Sequence, residues 1–405
     1  MILDQKSLGI TIAELRKKRG MTQAELAAKL RVSDKTVSKW ENGLGFPEVT
    51  QFPTLAELFG VSIDFLMTGE RKGIAIAGNI LIDIIKNIEC YPQIGMLAQV
   101  TDLSKAVGGC VPNTAINLAK IDRSTPIRVF GKIGDDEYGQ YAISKMGQYG
   151  IDTSGVSIAP HLHTPFTDVM SLPTGERTFF HVTGSSKEFA PEDIDLATLN
   201  CSILHIGYIL FMQQFDKEDP AYGTVMARFL CDAQEHGIKT SVDTVSQQGG
   251  DYSGKVIPAL KYCNYAIMNE VEACNAFFVD PYENGVLQIN RIRDVMQRMV
   301  EAGVSEKVIL HSKMAGFCMD AVTGAFTVVP SLKIPDEEIK GSVGAGDAYC
   351  AACLYGLYHN FPDQKLLEFA SSAAACNLFA ANSIDGMLPK NEIMKLSEKY
   401  GRWSL

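Results

Sequence analysis

Gly341-Ser342-Val343-Gly344-Ala345-Gly346-Asp347-Ala348 is the most informative stretch of this chain. Three small residues, Gly344, Ala345 and Gly346, precede an acidic one, and an apolar helical pattern over 348–358 follows. A small-residue turn feeding a helix offers an anion free backbone N–H groups and the positive end of the dipole. Asp347, at the same place, can take a proton from a substrate hydroxyl. Phosphoryl transfer needs both features: charge stabilisation on the moving group and an oriented nucleophile. A capped helix with a tight packing turn fits the same spacing.

Outward from this turn, residues 73–405 read as short apolar β-type runs alternating with amphipathic helices. The runs are 74–80, 127–131, 203–208, 239–243, 265–268 and 308–311. Strand alternating with helix predicts an α/β fold with a mainly parallel sheet. Residues 7–68 differ in texture, with a helical pattern and few β-branched runs. The join, Thr68-Gly69-Glu70-Arg71-Lys72-Gly73, is a short polar linker. The expected domains are therefore 1–70, small and all-α, and 71–405, α/β. No internal repeat or low-complexity tract interrupts them.

At 405 residues, 46% hydrophobic and 21% charged, the chain has the balance of a globular protein and not of a disordered or fibrous one. The nearest candidate for a membrane span, 73–85, is broken by Asn79 and Asp83. With no secretory pattern at the N-terminus, a cytoplasmic location is expected. The ten cysteines follow no disulfide spacing and read as small buried hydrophobes. Cys350 and Cys353 form one CxxC pair without the further ligands that zinc needs. His161 and His163, two apart, also lack a third ligand and read as surface residues.

The net charge is 37 − 47 = −10, which taken alone argues against nucleic acid as a partner. It is unevenly spread: residues 11–42 hold eight Lys/Arg and four Asp/Glu, so 8 − 4 = +4. Within this basic stretch Thr22 and Glu25 form a capping box. Ser33 can cap a second helix over 34–42, with Val37 and Trp40 on its buried side and Gly43 as its stop. Two short helices joined by a tight turn make a helix-turn-helix, and Lys35, Thr36, Ser38 and Lys39 on the exposed face suit base edges and phosphates.

RKKRGMTQAELA (16–27), VSDKTVSKWENG (32–43) and GVSIDFLM (60–67) fall in an order that closely resembles the lambda-repressor-like helix-turn-helix family. The resemblance implies a five-helix DNA-binding domain in which Gln23 contacts a phosphate and Lys35, Thr36, Ser38 and Lys39 face the major groove. Trp40 reads as core. A protein-interaction module on the same fold is the alternative.

GAGD at 344–347 looks like the hallmark of the ribokinase-like (PfkB-type) carbohydrate kinases, and further matches follow in the family's order. Gly78-Asn79-Ile80-Leu81-Ile82-Asp83 resembles a first-strand motif whose aspartate binds substrate hydroxyls. Gly108-Gly109-Cys110-Val111-Pro112-Asn113 resembles GGxxxN, implying close backbone approach at Gly108 and Gly109 and hydroxyl binding by Asn113. The run 131–139 matches GxxGDDxxG. Asn269-Glu270-Val271-Glu272 matches NxxE, implying that Asn269 and Glu272 organise Mg²⁺ and phosphates through water. Asp243 takes the strand-end aspartate position.

The implied fold is a doubly wound α/β domain with a small β lid. The lid would come from the segment after Asp83 and from 165–181 around Thr174-Gly175, and it would exclude water. The implied cofactors are ATP and Mg²⁺, with a monovalent-cation site that the sequence does not place. Asp347 would be the base, with the backbone at Gly344, Ala345 and Gly346 cradling the phosphoryl group.

Two departures stand out. Gly341-Ser342 replaces the usual DT before GAGD. His311-Ser312-Lys313 before Gly316 replaces a TLG turn beneath the nucleotide. Lys313 could contact phosphate or be a solvated loop lysine, and the small-residue segment 374–381 could lie near the adenine or be a core helix.

Three functions fit. The first is an ATP-dependent kinase acting on a sugar or nucleoside hydroxyl and coupled to DNA binding. The second is a catalytically weak sugar receptor acting as a transcription factor. The third is a metabolic kinase whose small domain mediates protein contacts. Palindromic operators make a homodimer the expected assembly.

Overall fold

The computed structural model describes residues 4–61, 63–174 and 176–405; Ser62 of the closing helix-turn-helix stretch and Gly175 of the expected lid turn lie outside them. The chain divides into two compact units. One comprises the residues to Gly73 together with Asp195–Ser202; the other comprises Ile74–Ile194 and Ile203–Leu405. The inclusion of Asp195–Ser202 in the first unit is a feature the sequence reading, which drew one cut at residue 70, did not contain.

The first unit carries helices α1 (Gln5–Lys18), α2 (Gln23–Leu30), α3 (Asp34–Glu41), α4 (Gln51–Phe59) and α5 (Ile63–Thr68). The Thr22–Glu25 capping box forms, and the Ser33 hydroxyl accepts the Thr36 N–H at 3.1 Å. Between α2 and α3 the chain turns through Arg31 in the left-handed region, φ 56°. Leu8, Ile12, Leu26, Val37, Trp40, Leu55, Phe59 and Leu66 make the core. Each fully buried side chain of this kind contributes about 1.5–3 kcal/mol. Trp40 is core, as expected. Arg71 donates to the carbonyl of Leu199, and Ser202 N–H donates to the carbonyl of Gly73 at 2.9 Å, tying the 195–202 segment into this unit.

The second unit runs β1 (Ile74–Ala77), β2 (Leu81–Ile88), β3 (Val100–Gly108), α6 (Cys110–Ile121), β4 (Ile127–Gly134), α7 (Glu137–Gly147), β5 (Asp152–Ala159), β6 (Phe166–Ser171), β7 (Arg177–Val182) and β8 (Ile203–Ile209). A short ribbon β9–β10 (Glu218–Asp219, Gly223–Thr224) leads to α8 (Val225–Glu235), β11 (Lys239–Thr244), α9 (Tyr252–Leu260), β12 (Tyr265–Asn269) and α10 (Glu270–Ala276). A second ribbon β13–β14 (Tyr282–Glu283, Val286–Leu287) precedes α11 (Ile289–Ala302), β15 (Lys307–His311), β16 (Ala315–Asp320) and β17 (Phe326–Pro330). The chain continues through α12 (Ala345–Tyr358), α13 (Asp363–Leu378) and α14 (Lys390–Lys399).

The main sheet has the order β17-β16-β15-β12-β11-β8-β1-β4-β5. It is parallel from β15 across to β5, with β16 and β17 antiparallel at one edge. All four residues of β1 are buried, as a central strand covered on both faces requires. The fold is the expected ribokinase-like α/β architecture. Strand order reverses around β1, so the carboxyl ends of β1, β8, β11 and β12 border a crevice, the usual ligand position in such sheets. The lid is a separate four-stranded sheet, β3-β2-β6-β7, from the two segments the sequence indicated.

Candidate active site

Helix α12 begins at Ala345, three residues before the apolar pattern suggested. Its N-cap, Gly344, has φ 78° and no side-chain cap. A Cβ at Gly344 would lie 2.4 Å from that of Ser383, so glycine is required there for both space and conformation. Asn377 on α13 donates to the carbonyl of Val343 at 2.7 Å and fixes the turn. Neither Asn377 nor Ser383 carries a local sequence signal for this role.

Asp347, in the first turn of α12, is buried. Asn113 Nδ2 donates to its Oδ2 at 2.8 Å, while Tyr208 Oη donates to Oδ1 at 3.1 Å and Oδ2 at 3.3 Å. Burial pushes the Asp347 carboxyl up to about 7 and the charge of Asp243 pushes the same way; the Asn113 and Tyr208 hydrogen bonds oppose them. The other amide atom of Asn113, Oδ1, is buried without a partner. An unpaired buried acceptor is costly, and a substrate hydroxyl would satisfy it.

Asp83 stands on β2, and its carboxylate occupies the space a Cβ on Gly108 would need, 2.4 Å from Oδ2. Burial raises its carboxyl to about 6, opposed by Arg177 of β7. Gly109, φ 88°, brings the chain against the carbonyl of Asn79, where a Cβ would lie 2.5 Å away.

Asp347, Gly344 and Gly346 line a cavity of about 250 Å³ together with Tyr208, Asp243, Asn269 at the end of β12 and Glu272 of α10. Asn269 and Glu272 also form a capping box: Asn269 Oδ1 accepts the Glu272 N–H at 2.8 Å, and Glu272 Oε2 accepts the Asn269 N–H at 3.2 Å. The NxxE spacing is thus a helix start as well as a candidate site. Ser246 donates to Glu272 Oε1 at 2.7 Å; burial raises the Glu272 carboxyl to about 7 against these bonds. An oxygen-only donor set of this kind suits a hard divalent cation.

An adjoining cavity of about 840 Å³ is lined by Leu332, Ile334, Tyr349, Ala374, Ala375 and Trp403 among others. Its apolar walls suit a purine ring. Ala374 and Ala375 put the small-residue segment at this wall, and Ala375 also belongs to a core cluster. Lys313 is exposed at the cavity, its Nζ 5.9 Å from the Trp403 ring centre, and Lys333 lies 5.0 Å from the same ring. Gly316 lines neither cavity; it leaves room for Tyr349, whose hydroxyl would sit 2.3 Å from a Cβ at that position. His311 and Gly346 border both cavities. Burial lowers His311 to about 4, so its ring is neutral as it packs on Tyr349.

On the helical unit, Lys35 and Lys39 are exposed and Thr36 and Ser38 half-buried along α3. Gln23 is differently engaged from the expected phosphate contact: its Nε2 donates to Glu41 Oε2 at 2.7 Å. Glu41 also binds the buried Arg16 guanidinium, Nε to Oε1 at 2.5 Å and Nη2 to Oε2 at 2.9 Å. The Arg16–Glu41–Gln23 network leaves no local mark in the sequence, because Glu41 lies 25 and 18 positions from its two partners. Among the described residues no helix is long and apolar enough to cross a membrane.

Residues 71–391 match the family model for pfkB family carbohydrate kinases. The chain belongs to that family. Residues 12–66 of the same pfkB family kinase match a helix-turn-helix model. The chain is 24% identical over 315 residues to a 5-dehydro-2-deoxygluconokinase of Clostridium perfringens, covering 75% of this chain and 89% of that one. It is 23% identical to a fructokinase-1 of Oryza sativa, covering 82% and 99%. Ribokinase of Thermotoga maritima superposes with a TM-score of 0.65 at 19% identity, covering 81% and 99%. This carbohydrate kinase therefore carries an N-terminal segment that matches a helix-turn-helix model.

Proposed function

We propose that the kinase domain phosphorylates a hydroxyl of a sugar or sugar acid at the expense of ATP, and that its ligand state alters sequence-specific DNA binding by residues 1–70. The observation that supports this best is Asp347 beside Asn113 at the start of α12, in a cavity bordered by Asp243 and Glu272. Asp83 and Asn113 bind substrate hydroxyls. Asp347 accepts the proton of the attacking hydroxyl, which a carboxyl poised near neutrality does efficiently. The backbone at Gly344, Ala345 and Gly346 faces the developing charge. Asn269 and Glu272 would hold Mg²⁺, and the larger cavity would take the adenine. Bound Mg²⁺-ATP supplies the phosphoryl group and neutralises its charge.

The relatives' names make 5-dehydro-2-deoxygluconate and fructose the first compounds to try. The test is ADP release across these and a wider sugar and nucleoside panel, with Asp347→Ala beside wild type. The variant is expected to lose at least about 10²-fold in turnover while sugar binding persists. Equal loss of both would remove the base assignment. His311-Ser312-Lys313 in place of TLG favours a second reading, a sugar receptor without turnover. Ligand-shifted DNA affinity with no ADP from folded protein would select it. On DNA, a homodimer is expected, and sedimentation of a strict monomer on operator DNA would exclude it.

A further inference from the structure

We propose that Tyr208 is a positioning residue for the reaction: it donates its phenol to the Asp347 carboxylate and orients that carboxylate towards the substrate cavity. The inference rests on the phosphotransfer reading of Asp347 given above.

Tyr208 sits at the carboxyl end of β8 with φ 64°, and Leu210, two residues on, has φ 83°. A bulky aromatic residue in the left-handed region is strained and persists only where its surroundings over-determine it. The surroundings here are specific. The Tyr208 N–H donates to Asp243 Oδ1 at 2.5 Å, and Asp243 Oδ2 lies 3.4 Å from His205 Nε2. The His205 ring is fixed in turn by Ser241 Oγ at 3.0 Å on Nδ1 and by Cys350 Sγ at 3.5 Å on Nε2. A buried network on β8, β11 and α12 thus holds the backbone of Tyr208 in a conformation that aims its hydroxyl at both oxygens of Asp347.

Asn113 takes Oδ2 from the other side. With two donors in place, the carboxylate has one orientation, and its remaining lone pairs are what a hydroxyl meets. Burial and the neighbouring negative charges raise the Tyr208 phenol well above its ordinary range, so it stays a donor wherever Asp347 titrates. The ionisable groups facing Asp347 are Asp243 from β11, Glu272 from α10, Cys110 from α6 and Cys350 on its own helix. The carboxylates among them disfavour its charged form, and the phenol favours it.

The test uses full-length protein and pH-difference infrared spectra of wild type, Tyr208→Phe, Tyr208→Gly and Asp347→Asn. The carboxyl band that Asp347→Asn abolishes reports Asp347. Its midpoint is expected about one pH unit higher in Tyr208→Phe, the equivalent of one hydrogen bond to the charged form. Tyr208→Gly, which suits the positive φ but removes a ring packed against the core, is expected to shift the midpoint in the same direction at lower thermal stability than Tyr208→Phe. In ADP release, the acidic limb of kcat/KM should move by the same amount, giving roughly tenfold lower activity at pH 6 and little change at pH 9. An unmoved midpoint in either variant, or a carboxyl band that Asp347→Asn leaves intact, overturns the proposal. A shifted midpoint with no turnover in any protein keeps the role of Tyr208 and removes the phosphotransfer reading instead.

Discussion

A buried carboxyl group with the carboxylates of Asp243 and Glu272 nearby makes the fold sensitive to pH. The ordinary value for Asp347 is 3.8 and burial raises it to about 7, so the folded chain holds this proton more tightly than the unfolded chain does. The resulting stability is fully present below about pH 4 and is lost as pH rises through about 7. Asp347→Asn never carries the charge. It is expected to melt above wild type at pH 8, by about 2 °C for each kcal/mol relieved, and to lose that advantage by pH 5. Thermal scans at the two pH values check this; a variant that melts lower at pH 8 would count against the buried-charge account. Asp347, Asn113 and the 344–346 turn were legible in the sequence because each belongs to a short local pattern. Tyr208 was not. An aromatic residue closing an apolar strand reads as core, and neither its positive φ nor its partner 139 positions away leaves a local mark.

At the scale of elements, the strands of the main sheet followed from short apolar β-type runs, and the lid from the resemblance to the family. The start of α12 did not, because Gly-Ala-Gly reads as a loop and its cap comes from packing rather than from a side chain. Gly344→Ala tests that packing. The added methyl meets Ser383 and the residue keeps a left-handed φ, so a loss of about 1–3 kcal/mol in stability is expected, together with severe loss of turnover. Urea unfolding and ADP release measure both; a variant as stable and active as wild type would show that the turn can open freely. The NxxE motif illustrates the opposite difficulty: one spacing serves both a capping box and a candidate cation site, and sequence alone does not separate the two.

At the scale of the whole molecule, charge is unevenly divided along the chain. The chain as a whole carries −10, yet residues 11–42 carry 8 − 4 = +4, and Lys35 and Lys39 lie exposed on α3. Lys35→Ala and Lys39→Ala are each expected to weaken DNA binding and lower the slope of log K against log salt by about one where the lysine meets a phosphate. Titrations of operator DNA at several salt concentrations check this; an unchanged slope would place the lysine off the DNA. The charge division was plain in the sequence, whereas the return of Asp195–Ser202 to the helical unit was not, since polar residues linking a helix pattern to a strand carry no mark of where they pack. That return has a consequence for synthesis. The helical unit is not finished when its helices have been made: Leu199, which accepts from Arg71, and Ser202, which donates to Gly73, are translated on the order of ten seconds later. A nascent chain on the ribosome therefore carries an incomplete helical unit through much of its elongation, and that unit closes only after the lid strands have emerged.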